Sequence, residues 1–249
     1  MVSEESRRRF ADIARAAQRS GSPKCSRFLE PPECVDARWA AAQEGAKLAL
    51  WGGYDDAERQ VAGFYVGEEI SRWEWPVACL QAQWNARFAS AEHRDMLGAL
   101  MGLGVERAMM GDIQLGEDCA YLFVLDEVAD YIAANLESAG RAKLKLQRID
   151  PSEAKIAPPK GRELRITLAS LRLDALVAEG YDISRADAQE LIRRGLVKRN
   201  HIPCEKGDCR VEEGDLISAR GYGRMKLMAD LGETKKGRVA ARVFRYGES

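Results

Sequence analysis

The chain has 249 residues, 46% of them hydrophobic, and sets 38 Lys and Arg against 39 Asp and Glu for a formal charge of −1. That is enough chain for roughly one to three domains and a sizeable core, and no apolar run approaches the ~18 residues that cross a bilayer. The six cysteines are scattered, which points away from a secreted disulfide framework and toward reduced thiols in the cytoplasm.

The charge balance conceals a division. Residues 1–159 carry 19 basic and 25 acidic side chains, whereas residues 160–249 carry 19 and 14. A basic terminal module on an acidic body is expected to bind a polyanion at one end only.

The N-terminus, MVSEESRRRFADIARAAQRSG, lacks the apolar centre of a secretory signal and reads as an amphipathic helix with Phe10, Ile13, Ala14 and Ala17 on one face. PPECVDARWAAAQEG is helical and stops at Gly45. KLALW follows as a short buried strand and GGYDD as a turn. A soft break near GEEISRWEWP, Gly67 to Pro76, ends an α+β segment over residues 1–71 in which no chemistry is legible. Trp39, Trp51, Trp73 and Trp75 belong to the acidic half and are expected in the core or at a domain interface.

The middle segment, residues 72–157, has a readable order. PVACLQAQW is a strand. SAEHRDMLGALMGLG is a helix with Ser90 as N-cap, His93 near its start, and Leu97, Leu100 and Met101 on one face. GDIQL and AYLFVL are strands. DEVADYIAANLESAG is a helix with Val128, Ile132 and Leu136 inward and Gly140 at its end, and KLKLQRI is a closing strand. The order βαββαβ is the ferredoxin-like arrangement that RNA-recognition domains share. Tyr121 and Phe123 alternate as an RNA-binding strand would, but EDCAY lacks the basic-Gly start and the first strand has no aromatic before Trp84. The two rings are therefore expected to pack against another part of the protein.

Prolines, a glycine and charges in DPSEAKIAPPKGRE, Asp150 to Glu163, read as a linker. The final segment, residues 164–249, contains LASLRLDALVAEGYDISRADAQELIRRGLVKRN. Ser184 is placed to cap a helix, with Asp187 completing a capping box. Ala188, Leu191 and Ile192 share a buried face, while Arg185, Gln189 and Arg193 fall four apart on a solvent-side stripe. Gly195 supplies a left-handed terminus, and VKRNHI leaves as a strand. Arg193, Arg194, Lys198 and Arg199 crowd around Gly195, and this basic surface suits a phosphate backbone.

LRLD, SRADAQELI, GLVKRN and EGDLI, in this order over about fifty residues, resemble the S4 domain, a small module that docks two helices and a turn on structured RNA. SARGYGRMKL and GETKKGRVAARVF resemble the tail of the YlmH family of S4-domain proteins, and the HRDMLGALMGLGVERAMMGDI and DEVADYIAANLESAGRAKLKL stretches resemble its middle domain. GGYDDAER resembles its N-terminal part. The resemblance implies a ribosome-associated RNA-binding protein linked to quality control of stalled large subunits carrying peptidyl-tRNA. The RNA surface it implies comprises Arg172, Ser184, Arg185, Gln189, Arg193, Arg194, Lys198, Arg199 and Asn200. Arg220, Arg224, Lys235 and Lys236 of the tail, which ends in a β-hairpin, extend that surface.

Other chemistries fit less well. RLD also occurs in pseudouridine synthases, whose nucleophile is the aspartate, but Asp174 is followed by ALVAEG where those enzymes continue with Thr and Gly-Leu. Its expected task is to orient a neighbouring base or to cap backbone donors. HRD at His93–Asp95 lacks the other kinase elements, and GALMGLG lies inside a helix instead of after a strand. His201, Cys204 and Cys209 lack a fourth ligand and paired Cys-x-x-Cys spacing, so no structural zinc and no disulfide are expected. The fold expected is α+β: an N-terminal segment, a ferredoxin-like domain and an S4 domain. The function expected is non-enzymatic binding of ribosomal RNA and tRNA on the large subunit, with no cofactor and no membrane. An RNA-modifying enzyme, or an adaptor whose acidic half docks a protein, are the alternatives.

Overall fold

The computed structural model describes residues 4–67, 75–234 and 237–247. They form two compact units, residues 1–157 and 158–249.

The first unit opens with α1 (Glu4–Ser20), β1 (Lys24–Leu29), α2 (Pro31–Glu44), β2 (Lys47–Trp51) and β3 (Gln60–Tyr65). Phe10, Ala14 and Ala17 of α1 are buried as their spacing requires, with Ala11 inward and Ile13 half-buried. Small side chains bring α1 and α2 together: Ala37, Ala40 and Ala41 of α2 join the same cluster. Pro31 begins α2 with a preset φ, and Gly45 ends it in the left-handed region at φ 68°. The strands pair antiparallel in the order β1-β3-β2.

The unit continues with β4 (Val77–Gln83), α3 (His93–Gly102), β5 (Met110–Leu115), β6 (Cys119–Leu125), α4 (Asp126–Asn135), β7 (Ser138–Ala139), β8 (Ala142–Lys143) and β9 (Lys145–Ile149). The antiparallel order β5-β6-β4-β9 is that of a ferredoxin-like βαββαβ sheet. Three local expectations change. Glu92, not Ser90, caps α3, because its carboxylate and that of Asp95 exchange bonds with each other's backbone N–H. Met96 replaces Met101 on the buried side of α3, and Met101 is 51% exposed. Gly140, at φ 57°, turns the β7–β8 hairpin, because α4 has already stopped at Asn135.

Both faces of this sheet are covered. Ala120, Leu122 and Val124 of β6 point toward α3 and α4, while Tyr121, Phe123 and Leu125 meet Phe28 and Val61 of the N-terminal segment. The period of two in a strand forces that division, and two covered faces explain the unbroken apolar run of CAYLFVL. Tyr121 is 5% exposed and Phe123 is 1% exposed, so the pair packs inside the unit and offers no stacking surface. Buried polar bonds fasten the lid. Arg59 Nε donates to the Met110 carbonyl at 2.8 Å, and its guanidinium also pairs with Glu30. Asp112 accepts from the Tyr54 hydroxyl at 2.8 Å and the Glu58 amide at 2.7 Å.

Of the tryptophans, Trp51 and Trp75 are half-buried with ring centroids 5.8 Å apart, and Trp84 is in the core of the ferredoxin-like part. Trp39 departs from expectation: it is 43% exposed, with the Arg7 guanidinium over its ring at 4.4 Å. Trp73 lies outside the described residues.

The second unit contains β10 (Gly161–Leu168), α5 (Leu173–Tyr181), α6 (Arg185–Arg193), β11 (Val197–Arg199), β12 (Ile202–Pro203), β13 (Leu216–Ala219), β14 (Gly223–Glu233) and β15 (Val239–Tyr246). β10 begins inside the proline-rich stretch and pairs along its full length with β15, and the sheet order is β10-β15-β14-β13-β11-β12. α5 and α6 cover one face through Leu173, Leu176, Val177, Ala188 and Ile192, which join Ile217, Met225, Leu227 and Val243 in a single core. Gly180 permits the close approach, since a Cβ there would stand 2.3 Å from the Met225 sulfur.

The covered face of the ferredoxin-like sheet makes a prediction. Gly53 sits at φ 102°, and a Cβ on it would fall 2.2 Å from Cδ1 of Phe123. Gly53→Ala should lower unfolding free energy by about 2–4 kcal/mol through backbone strain and overpacking. The check is a shift of the urea midpoint at unchanged slope.

Candidate RNA interface

The site in the second unit is built around a buried charge. Asp174, in the first turn of α5, has a side chain 0% exposed, while those of Arg172 and Arg185 are 40% and 49% exposed. Arg172 donates from Nε and Nη2 to the two carboxylate oxygens at 3.1 and 3.2 Å. Arg185, the first residue of α6, donates through Nε and Nη2 to Oδ2 at 3.2 and 3.1 Å, and Gln189, one turn later, adds Nε2 at 3.1 Å. A buried carboxylate is tolerated only when paired and hydrogen-bonded; here the pairing spaces two guanidiniums and an amide along one helical face. The start of α5 is itself secured by the loop after β12, whose Cys209 and Gly207 carbonyls accept from the Leu173 and Asp174 amides at 3.0 and 2.9 Å.

Burial alone would raise the Asp174 carboxyl. The hydrogen bonds from Arg172, Gln189 and Arg185 outweigh it and hold the group below the ordinary carboxylate value. Asp174 therefore serves to orient basic side chains, the role its sequence context suggests.

The remaining residues divide. Ser184 caps α6: its hydroxyl accepts from the Asp187 amide at 3.1 Å and donates to the Asp187 carboxylate at 2.7 Å, in place of a reciprocal capping box. Arg193 and Arg194 are exposed at the other end of α6, Arg193 paired with Glu190, and Gly195 takes φ 66°. Arg199 and Asn200 turn to a second buried acid, Asp215, each at 2.7 Å, and Asn200 also accepts from the Leu216 amide. Asn200 and His201, at φ 50° and 67°, form the two-residue turn between β11 and β12. Arg220 follows β13 and is exposed. Lys198 and Arg224 both register with Ser218, on the sheet face away from α5 and α6. Lys235 and Lys236 lie outside the described residues.

The structure thus gathers Arg172, Arg185 and Gln189 into one cluster, and distributes the other bases over two faces where one surface was expected. The parity of β11 and β14 is the reason. Asp215 is not among the expected site residues; it shares the EGDLI turn with Glu213, and its burial beside Arg199 is what sets it apart. Cys204 and Cys209 bring their sulfurs to 3.3 Å with both side chains packed against the core, and among the described residues no three His, Cys, Asp or Glu side chains gather as metal ligands.

The depressed Asp174 value has a pH consequence. A folded value below the unfolded one contributes stability that is present above about pH 4 and is lost as pH falls through the folded value. Urea stability should therefore decline from about pH 5 toward pH 3. Asp174→Asn should cost about 2 kcal/mol at neutral pH, an amount discounted because both arginines are half in water, and should flatten part of the acid decline.

A family model described as a putative RNA-binding domain in YlmH matches residues 71–153, and the S4 domain model matches residues 171–217. The ribosome-associated protein quality control protein P2 of Bacillus subtilis (strain 168) is 39% identical over 237 residues, covering 92% of this chain and 91% of that protein. The solved structure of the cell division protein ylmH from Streptococcus pneumoniae matches with a TM-score of 0.55 over 63% of this chain and 98% of that one, a likeness of fold at 18% identity. With both domains in place, in the order the residues suggest, and a relative matched along nearly its whole length, the chain belongs to the YlmH family of S4-domain RNA-binding proteins.

Proposed function

We propose that the second unit binds structured RNA through the helical face organised by Asp174, and that the chain works on the ribosome without catalysing a reaction. The observation that carries this reading is the pair of half-exposed guanidiniums held by one buried carboxylate. Arginines fixed in this way engage phosphates bidentately at little further cost in side-chain freedom. A-form RNA hides its deep groove, so such a face reads shape, phosphates and 2′-hydroxyls more than base sequence. The name of the B. subtilis relative supports the ribosome as the setting. Ribosomal RNA beside peptidyl-tRNA on the large subunit, in the cytoplasm, is the composite we assign as the ligand.

The enzyme reading is disfavoured by the same geometry. Both oxygens of Asp174 are engaged by Arg172, Arg185 and Gln189, so its carboxylate serves as an anchor and not as an available nucleophile. The acidic first unit fits a protein-docking role better than base stacking, since Tyr121 and Phe123 are enclosed.

Replacing Arg185 and Arg193 together by alanine should weaken binding to ribosomal RNA and lower the salt slope by roughly one unit for each lost phosphate contact. Anisotropy titrations across a salt series read both quantities, and an unchanged slope and affinity would show that this helix faces elsewhere. In gradient fractionation the intact chain should travel with large subunits, preferentially those that retain peptidyl-tRNA, and the double variant should shift to ribosome-free fractions. Equal binding to empty subunits would remove the tRNA from the proposal.

A further inference from the structure

The sheet of the second unit has a second face, and its chemistry differs from that of the helical one. Strand register decides which side chains it carries. Leu227 pairs with Val243 and Met225 with Ile217, and these four belong to the core beneath α5 and α6. Their neighbours one residue away point the opposite way. Lys226 pairs with Phe244, Ser218 with Lys198 and Arg224, and Tyr246 with Gly161. Phe244 and Tyr246 therefore stand two apart on the face without helices, with cations on the neighbouring strands.

The two rings form an organised pair. Their centroids are 5.0 Å apart at 77°, and the Arg224 guanidinium lies over Tyr246 at 5.5 Å. Phe244 rests on bare backbone: a Cβ on Gly161 would meet its Cε1 and Cζ at 2.7 and 2.8 Å. Both rings remain partly exposed, outside the core cluster of this unit. Among the described strand positions the charge on this side is mostly positive, with Lys198, Arg224, Lys226, Arg165 and Arg242 against Glu163. Partly exposed aromatics among an excess of cations match a single-stranded nucleic acid in both parts: phosphates to the bases of the protein, and flat nucleobases to the rings and the guanidinium plane.

We propose that this open sheet face is a second RNA surface, which stacks unpaired nucleotides on Phe244, Tyr246 and Arg224, separate from the helical face that meets paired RNA. The charge complementarity selects RNA over an apolar protein partner, which would bring no negative charge to a face whose described strand positions are mostly positive. Bound together, the two faces would recognise a junction between a helix and an unpaired segment.

The test uses the full chain with two labelled probes, a single-stranded oligouridylate and a fully paired RNA hairpin of equal charge. Phe244→Leu with Tyr246→Leu keeps apolar cover over Gly161, and a thermal melt confirms that the fold persists. The expected result is roughly a tenfold loss of oligouridylate affinity per ring, at unchanged salt slope because no charge is removed, with hairpin affinity kept within about twofold. Tyr246→Trp, which retains a stacking ring, should preserve binding. The Arg185→Ala and Arg193→Ala pair should do the reverse, losing the hairpin and keeping the single strand. Failure of that pair alone bears on the helical face and leaves this proposal standing. Unchanged oligouridylate affinity in the leucine variant would overturn it and assign the face to a protein partner. Equal loss of both probes would also overturn it, since the two surfaces would then be one.

Discussion

The second unit depends on a buried negative charge that cannot be left unpaired. Asp174 is enclosed between α5, α6 and the loop after β12, where an isolated carboxylate would be costly to desolvate. Two guanidiniums and an amide come to it, and each arrives from a position set by helix geometry: Arg172 from the residue that caps α5, and Arg185 and Gln189 from successive turns of α6. Packing and the display of basic side chains are thereby coupled. The interaction that stabilises the approach of α5 to α6 also fixes the outward disposition of the bases. Asp215 repeats the device at the next turn, where it holds Arg199 and Asn200 in the tight connection between β11 and β12.

The two units treat a sheet in contrasting ways. Each lays helices on one face. In the first unit the N-terminal segment closes the other face, sealing Tyr121 and Phe123 beneath Phe28, Val61 and Tyr54. A ferredoxin-like sheet that would be free to stack bases is thus converted into a two-sided core. In the second unit the other face carries charged and aromatic side chains instead of apolar ones, and no apolar run such as CAYLFVL is found in β14 or β15. The difference is a matter of residue alternation, since a strand covered on both sides must be apolar at every position and one covered on a single side need be so only at every second.

Much of this was legible from residue order. Helix ends carry their own chemistry, so Gly45, Ser184 and Gly195 mark termini that the structure retains. The ferredoxin-like order followed from lengths and apolar periods alone. What stayed hidden depended on partners distant in the chain. β1, with a bulge between Cys25 and Phe28, has no clean alternation, and β3 is short and without alternation after Gln60, so neither stands out in the sequence. Ser90 was a better capping residue than Glu92 by type, yet the reciprocal bond with Asp95 decides the start of α3. The bases around Gly195 looked like one surface because sequence proximity suggests it; β11 separates Lys198 from Arg199 by turning successive side chains to opposite faces.

That separation bears on specificity. A face of arginines on phosphates supplies affinity but little discrimination between RNA sequences, and a lone buried anchor such as Asp174 fixes spacing without reading bases. With the two proposed faces, discrimination comes from requiring two dissimilar features at a set distance, one met by α5 and α6 and the other by the open side of β14 and β15. Strands of one sheet keep such a distance well, because β14 is hydrogen-bonded to both β13 and β15. On the proposed two-face reading, an RNA surface that satisfies both would hold the chain longer than one that satisfies either alone. A rigid sheet between two modest sites thus offers selectivity for the shape of an assembled particle, which neither the net charge of −1 nor either site by itself would provide.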